Sequence, residues 1–524
     1  MSEPVGKAVR TRAVVAALLA LAALPAAASA QGPADDEPDP IFTPAEASAQ
    51  LEAAQTALAA GGGGEATVTQ ELRDLALALP YLQGAERREA RDLLARPPDG
   101  SGEIFGGNWP LNANEQTEES AHFVVHWPIV PGCQAPEQGC DEPELQDEDP
   151  GNGVPDYIDD VIGAAEESYA VQNGTLAWPE PKPDGARGGN DKVDVYVADI
   201  CNEGTQSCVF GYASPDDNAA TCNQPPFECF AYLVLDNDYQ PEEFGYEDPG
   251  IPLRVTTAHE YNHILQFGID ANQDRWMFES TAVWAEEQVF PADDDWLFYV
   301  RVWARGSEKP LTRFSAQGFT RVYGSAVWNH WIDRGAHYGP GVVLDAWQTS
   351  RDGHPKDFAI DSYDRAIKQN GGPGFSKEFG RFAAATAEWR APQFDFPDRE
   401  RYPDVKRRGK LRPDGDAKRF DLDHTAYRLL RVRPGSDSKL ALRVNAPRGV
   451  RISIALVARE GGPEGGDVRI KRRYAKRGGS KTVRLKGVQQ FKRITAVVVN
   501  ADGRVRGASR RYTRDNEPFR AKLR

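Results

Sequence analysis

The chain has 524 residues, more than one hydrophobic core usually serves, so two or more folded units are expected. Apolar residues make up 40% of it, with 11 Trp and 22 Phe, which excludes a disordered chain. The net charge of −16 is divided unevenly: residues 401–524 hold 35 Lys and Arg against 12 Asp and Glu, and the remainder is strongly acidic. The basic end suits contact with an anionic polymer, and a solvated basic surface explains it as well. It carries no nucleic-acid-binding motif.

Residues 1–30 read as an export signal: Lys7, Arg10 and Arg12 precede an apolar run from Ala13 to Leu24, and Ala28-Ser29-Ala30 offers a cleavage site. An apolar run of about a dozen residues is too short for a bilayer core of roughly 30 Å. A secreted, extracellular protein without a membrane span is therefore expected. Residues 31–100 form a helical leader. Thr43-Pro44-Ala45-Glu46 has the N-cap, Pro at N1 and Glu at N3 of a helix start, and Gly61 to Gly64 stop that helix. Apolar-periodic runs follow at Thr69–Leu79 and Ala85–Leu94, and Pro97-Pro98-Asp99-Gly100 closes the section. A propeptide that shields a site and a permanent helical cap both fit this leader.

From 101 to 395 the texture is α+β. Ala121–Trp127, Val193–Ala198 and Tyr232–Leu235 read as strands. Helices are expected at Val161–Gln172, Val255–Phe267, Glu279–Val289, Tyr323–Arg334, Gly341–Thr349 and Lys377–Trp389. The six cysteines fall in three couples, Cys133/Cys140, Cys201/Cys208 and Cys222/Cys229, each enclosing six residues. That repeated spacing favours three local disulfides in an oxidising compartment over a zinc ribbon. Asp147, Asp149, Asn152, Asp156 and Asp159 surround a Gly-Asn-Gly turn and loosely resemble a Ca2+ loop, although a capped turn explains them nearly as well. Sequence rich in Pro, Arg, Lys and Asp marks a linker at 396–419. Short alternating strands at Tyr427–Val432, Lys439–Val444, Val450–Val457 and Ile494–Val499 make 420–524 a C-terminal all-β sandwich.

His259-Glu260-Tyr261-Asn262-His263 lies within the 255–267 helix. Histidines at i and i+4 share a helix face and can bind one Zn2+, while the glutamate after the first lies beside the metal and can take a proton from metal-bound water. Glu279 and Glu286 follow on the next helix, seven apart and so on one face. Glu279 is the preferred third ligand, and Glu286 the preferred partner holding a histidine. Asp270 and Glu287 are rival acids. The metzincin pattern needs a glycine at position 266 and a third histidine at position 269, and the chain has Gln266 and Ile269 there.

These residues resemble the gluzincins, the thermolysin-like clan that pairs HExxH with a downstream glutamate. The W-x-x-E-S-x-A-x-x-x-E run from Trp276 resembles a helix of zinc aminopeptidases in which the first Glu is the ligand. Asn152-Gly153-Val154-Pro155-Asp156-Tyr157 and Val193-Asp194-Val195-Tyr196-Val197 extend the likeness to a poorly characterised family of secreted bacterial metalloproteases. The resemblance implies a two-lobed zincin domain over 101–395. It also implies a Tyr near a later helix that donates to the oxyanion, for which Tyr323 stands before Gly324-Ser325-Ala326; His330, His337 and His354 are rivals. The expected activity is secreted, zinc-dependent cleavage of a protein or peptide substrate, with Glu260 as general base and Tyr232–Leu235 as a strand able to pair with substrate. A non-catalytic cell-surface or adhesion module keeping the zinc scaffold is the alternative.

Overall fold

The computed structural model describes residues 41–59, 65–98, 114–129, 143–148, 150–201, 209–216, 222, 225–314, 320–350, 358–413, 415–433, 436–462, 466–504 and 515–524. The export signal at 1–30 and Cys133, Cys140, Asp149, Cys208 and His354 lie outside the described residues. Helix and sheet are mixed, as the α+β expectation requires. Among the described residues, no helix is long and apolar enough to cross a membrane.

Three helices come first: α1 (Pro44–Ala59), α2 (Glu65–Ala78) and α3 (Gly84–Leu94). The predicted capping box starts α1: the Thr43 hydroxyl accepts the Glu46 N–H at 3.3 Å, and the Glu46 carboxylate accepts the Thr43 N–H at 3.0 Å. α1 packs on α2 through Leu51, Ala54 and Leu58. α2 in turn is buried on every side from Val68 to Ala78, so it is an interior helix rather than a surface cap.

A five-stranded sheet follows, built from β1 (Asn114–Glu119), β2 (Phe123–Ile129), β3 (Val193–Val197), β4 (Gly211–Pro215) and β5 (Ala231–Leu235), with α4 (Asp156–Tyr169) between β2 and β3. The strand order is β1-β2-β3-β5-β4; β2, β3 and β5 run parallel, and antiparallel β1 and β4 form the edges. β3 (VDVYV) and β5 (AYLVL) are buried at every position, so the alternation of Val with Asp and Tyr along β3 does not mark a solvent face. Tyr232–Leu235 therefore corrects one expectation. It sits inside the sheet, paired on one side with β3 and on the other with β4, so its backbone has no edge to offer. The edge is β4, whose sequence GYASP has little of the β-branched pattern that would have revealed it.

The central helices are α5 (Pro241–Phe244), α6 (Gly250–Asp270), α7 (Arg275–Val289), α8 (Leu297–Arg305), α9 (Thr320–Tyr323), α10 (Ala326–His330), α11 (Gly341–Gln348), α12 (Ala359–Gln369) and α13 (Phe375–Ala385). α6 contacts α4, β4 and β5 on the sheet side and α7 and α11 on the other. It is buried from Val255 to Asp270, so its polar side chains are enclosed rather than solvated.

The C-terminal strands are β6 (Arg407–Leu411), β7 (Lys418–Leu422), β8 (Ala426–Val432), β9 (Lys439–Ala446), β10 (Ile452–Arg459), β11 (Val468–Ala475), β12 (Gly479–Lys486), β13 (Arg493–Asn500) and β14 (Glu517–Leu523). They form one sheet ordered β11-β10-β13-β8-β6 and another ordered β12-β9-β14-β7. Leu430, Leu442, Leu456, Val498 and Ala521 join the two sheets in a common aliphatic core. The opposite face of the first sheet packs on α13, with Tyr427 against Phe379, Phe382 and Trp303. In the second sheet Arg520 and Lys522 alternate with buried Phe519, Ala521 and Leu523, so the basic residues stand away from the core.

The linker expected at 396–419 is a second correction. Phe396, Tyr402, Val405 and Leu411 in it are buried, Trp389 stacks edge-on to Phe396 and Tyr402, and β6 pairs with β8. Charged residues between these anchors conceal an element that packs one side chain at a time. Cys222 and Cys229 form the expected local disulfide, and Cys201 is also disulfide-bonded.

Candidate metal centre

α6 and α7 cross so that His259, His263 and Glu279 meet. Glu279 Oε2 lies 3.4 Å from His259 Nε2 and 3.8 Å from His263 Nε2. Zinc bonds of about 2.0–2.1 Å put tetrahedral ligand atoms roughly 3.3 Å apart, so these separations suit one ion. All three atoms are buried with no hydrogen-bond partner among the described residues. Buried polar atoms without a hydrogen-bond partner are costly, and a cation between them would remove that cost.

Each histidine is held by its other nitrogen. His259 Nδ1 lies 2.6 Å from Glu286 Oε1. His263 Nδ1 lies 2.7 Å from Gln266 Oε1, and the Gln266 amide donates to Asn262 Oδ1 and to the Phe278 carbonyl. Asn262 donates to Gln172, which donates to the Ala258 carbonyl at 3.0 Å. This buried amide chain presents Nε2 of His263 to the centre as an acceptor. The sequence offered one clue to Gln266, its position three residues after His263 on the same helix.

Glu260 is fully buried, and its carboxylate lies within 4.8 Å of both imidazoles. Burial raises its pKa to about 7, against the attraction of His259 and with the repulsion of Glu279. Burial likewise lifts Glu286 to about 7 despite its bond to His259. For His259 burial opposes the charged form, but the adjoining Glu279 and Glu286 carboxylates outweigh it and hold the pKa well above the usual imidazole value. Burial and the neighbouring His259 push His263 well below it. Three carboxylates and two imidazoles thus share one buried site, a set suited to a divalent cation.

Tyr323 ends α9, and its ring stands edge-on to His259, with centroids 5.5 Å apart. Gly324 lets the backbone after Tyr323 lie close against α8, because a Cβ there would lie 2.5 Å from the Tyr299 carbonyl oxygen. The rival residues lie elsewhere. His330 packs on Trp296 and is held near pKa 3 by burial and Arg334, whereas His337 is not enclosed by the core. Glu287 groups with Asp294 and Asp398, and Asp270 receives the Asn272 N–H. In the Gly-Asn-Gly turn, Asp147 accepts the Gly153 N–H, Asn152 Oδ1 accepts the Val154 N–H, and Asp159 accepts from the Asn152 amide. These bonds are those of a capped turn.

A leader that shields a site was one expectation, but nothing in the order of residues signalled which side chains of α2 reach this centre. The Thr69 hydroxyl donates to Glu260 Oε2 at 3.2 Å and accepts the Ala213 N–H of β4 at 3.1 Å. Gln70 Nε2 donates to Glu279 Oε1 at 2.6 Å. No protein-family model matches the chain, and no curated protein matches it.

Proposed function

We propose that this is a secreted zinc metallopeptidase of gluzincin type, with His259, His263 and Glu279 as metal ligands. The convergence of three buried atoms that have no hydrogen-bond partner among the described residues, His259 Nε2, His263 Nε2 and Glu279 Oε2, carries the reading. Zinc there would polarise a substrate carbonyl and acidify water. Glu260 takes the proton as base and returns it to the leaving amine, a role suited to a carboxylate held near neutral pKa. Glu286 fixes the tautomer of His259, and Gln266 that of His263. Tyr323 beside His259 is the oxyanion donor, and β4 is the edge on which an extended peptide would lie. The mixed sheet before α6 and the helices after it form the two lobes of the zincin domain.

A non-catalytic zinc scaffold explains the ligands but leaves Glu260 without a purpose, since Glu260 Oε1 is buried and unpartnered among the described residues. The test is cleavage of casein or a peptide library by the leader-cleaved protein and by its Glu260→Gln form. Chelator-sensitive hydrolysis that falls by about 100-fold to 10,000-fold in Glu260→Gln, with zinc retained, is expected. Equal hydrolysis by both forms sinks the mechanism, and no hydrolysis by either favours the scaffold.

A further inference from the structure

His259, Glu260, His263 and Glu279 are 0–2% exposed, and a peptide cannot reach them in this form. α2 contributes to this closure by direct bonds. It packs against the edge strand β4, where substrate would lie, and places two successive polar residues into the site. Thr69 holds the carboxylate of Glu260 and takes up the Ala213 N–H of the edge strand. Gln70, with no exposure, donates its amide to one oxygen of Glu279 while the other oxygen faces the histidines. That donation fixes which end of the Gln70 side chain is nitrogen. Its carbonyl oxygen, Oε1, is then left buried and without a hydrogen-bond partner among the described residues. An orphaned amide oxygen is costly, and a cation held by the adjacent ligands is the partner that would remove the cost.

The same helix is clamped from outside the site. Arg275, at the start of α7, pairs with Glu71 at 2.6 Å and with Asp74 at 2.6 Å. Arg73 donates to the Gln273 carbonyl at 3.1 Å and lies over the Phe278 ring. The clamp fixes the depth at which Gln70 enters.

We propose that α2 is an internal inhibitor of the metal site, in which the Gln70 side-chain carbonyl is the fourth zinc ligand in place of the hydrolytic water and Thr69 occupies the general base. This rests on the zinc reading above. It turns the leader from a passive cover into a latency device that must leave before a peptide can bind.

The test uses the full chain loaded with Co2+ or Zn2+, comparing wild type with Gln70→Leu and Gln70→Glu. Wild type is expected to bind one Co2+ with a visible spectrum that acetohydroxamate, a small metal chelator, leaves unchanged. Gln70→Leu should still bind Co2+, with shifted bands and with zinc lost to EDTA at least about tenfold faster. Gln70→Glu, which restores an oxygen ligand, should return the slow release. Identical spectra and release rates in wild type and Gln70→Leu would overturn the role of Gln70 while leaving the zinc site standing. A wild-type spectrum that acetohydroxamate shifts overturns it too, without reliance on any variant. Absence of stoichiometric Co2+ in all three forms defeats the zinc reading itself.

Discussion

The interior around α6 and α7 and the interior between the two C-terminal sheets are both closed to solvent, yet they are built from opposite materials. Between the sheets the buried set is mainly Leu, Val, Ile, Ala and Phe, Leu442, Leu456 and Val498 among them, and the buried Asn500 amide is satisfied by the Leu422 carbonyl. Around α6 and α7 the buried set includes His259, Glu260, His263, Glu279, Asn262 and Gln266, several with atoms that nothing among the described residues satisfies. An aliphatic core gains stability from every group it buries. A core of ionisable groups gains nothing comparable unless something else pairs them. The contrast separates an interior whose groups satisfy one another from one whose buried groups are those of the proposed metal centre.

The sharpest way to break this comparison is His263→Ala. It is expected to abolish stoichiometric zinc binding, measured by metal analysis after dialysis. The zinc-dependent rise in stability, about 4 kcal/mol when free zinc exceeds Kd a thousandfold, should vanish with it. Zinc bound equally well by the variant would show that the polar interior is not a metal site.

Arg96 comes next. It is buried after α3 and paired with Asp184, Asp194 and Asp216, the last at 2.8 Å. Arg96→Met leaves these carboxylates without their central cation and should cost about 3–5 kcal/mol, read by urea denaturation. Leu456→Ala in the aliphatic interior should cost a comparable or smaller amount, about 2–5 kcal/mol, and leave zinc content unchanged. A Leu456→Ala protein that lost zinc would show that the two interiors are coupled.

The two interiors also differed in how far they could be read. His259, Glu260 and His263 declare themselves because helical geometry joins residues four apart, and the Glu279–Glu286 spacing works the same way on α7. β8, β9, β10 and β13 were visible because they carry apolar runs. β11 (VRIKRRYA) and β12 (GSKTVRLK) were not, since few of their residues are buried and the basic ones mask those that are. α8 (LFYVRVWAR) is rich in β-branched and aromatic residues and becomes a helix through burial of Leu297, Val300, Trp303 and Ala304 on one face. The bonds of Thr69 to Glu260 and Gln70 to Glu279 span 191 and 209 residues. No local pattern encodes such a contact, because neither residue is unusual on its own helix.

A smaller effect tests whether polar burial is a cost outside the metal site as well. Asp333 is 5% exposed, and its Oδ2 accepts the Trp284 Nε1–H at 3.3 Å. Burial is the main cause that raises its pKa to about 6 from an ordinary value of 3.8, with the Trp284 bond and Arg334 pulling the other way. A carboxyl raised on folding contributes stability that is fully present below the unfolded value and is lost as pH climbs through about 6. The loss should be on the order of 1–3 kcal/mol by neutral pH. Asp333→Asn stays uncharged throughout, so relative to wild type it should gain that amount between about pH 4 and pH 7 in denaturation curves. The deficit of Leu456→Ala should stay constant over the same range, because no charge forms in its surroundings. If the Asp333→Asn and wild-type curves run parallel with pH, the Asp333 carboxylate is solvated or paired in the folded protein, and the contrast between the two interiors is confined to the metal centre.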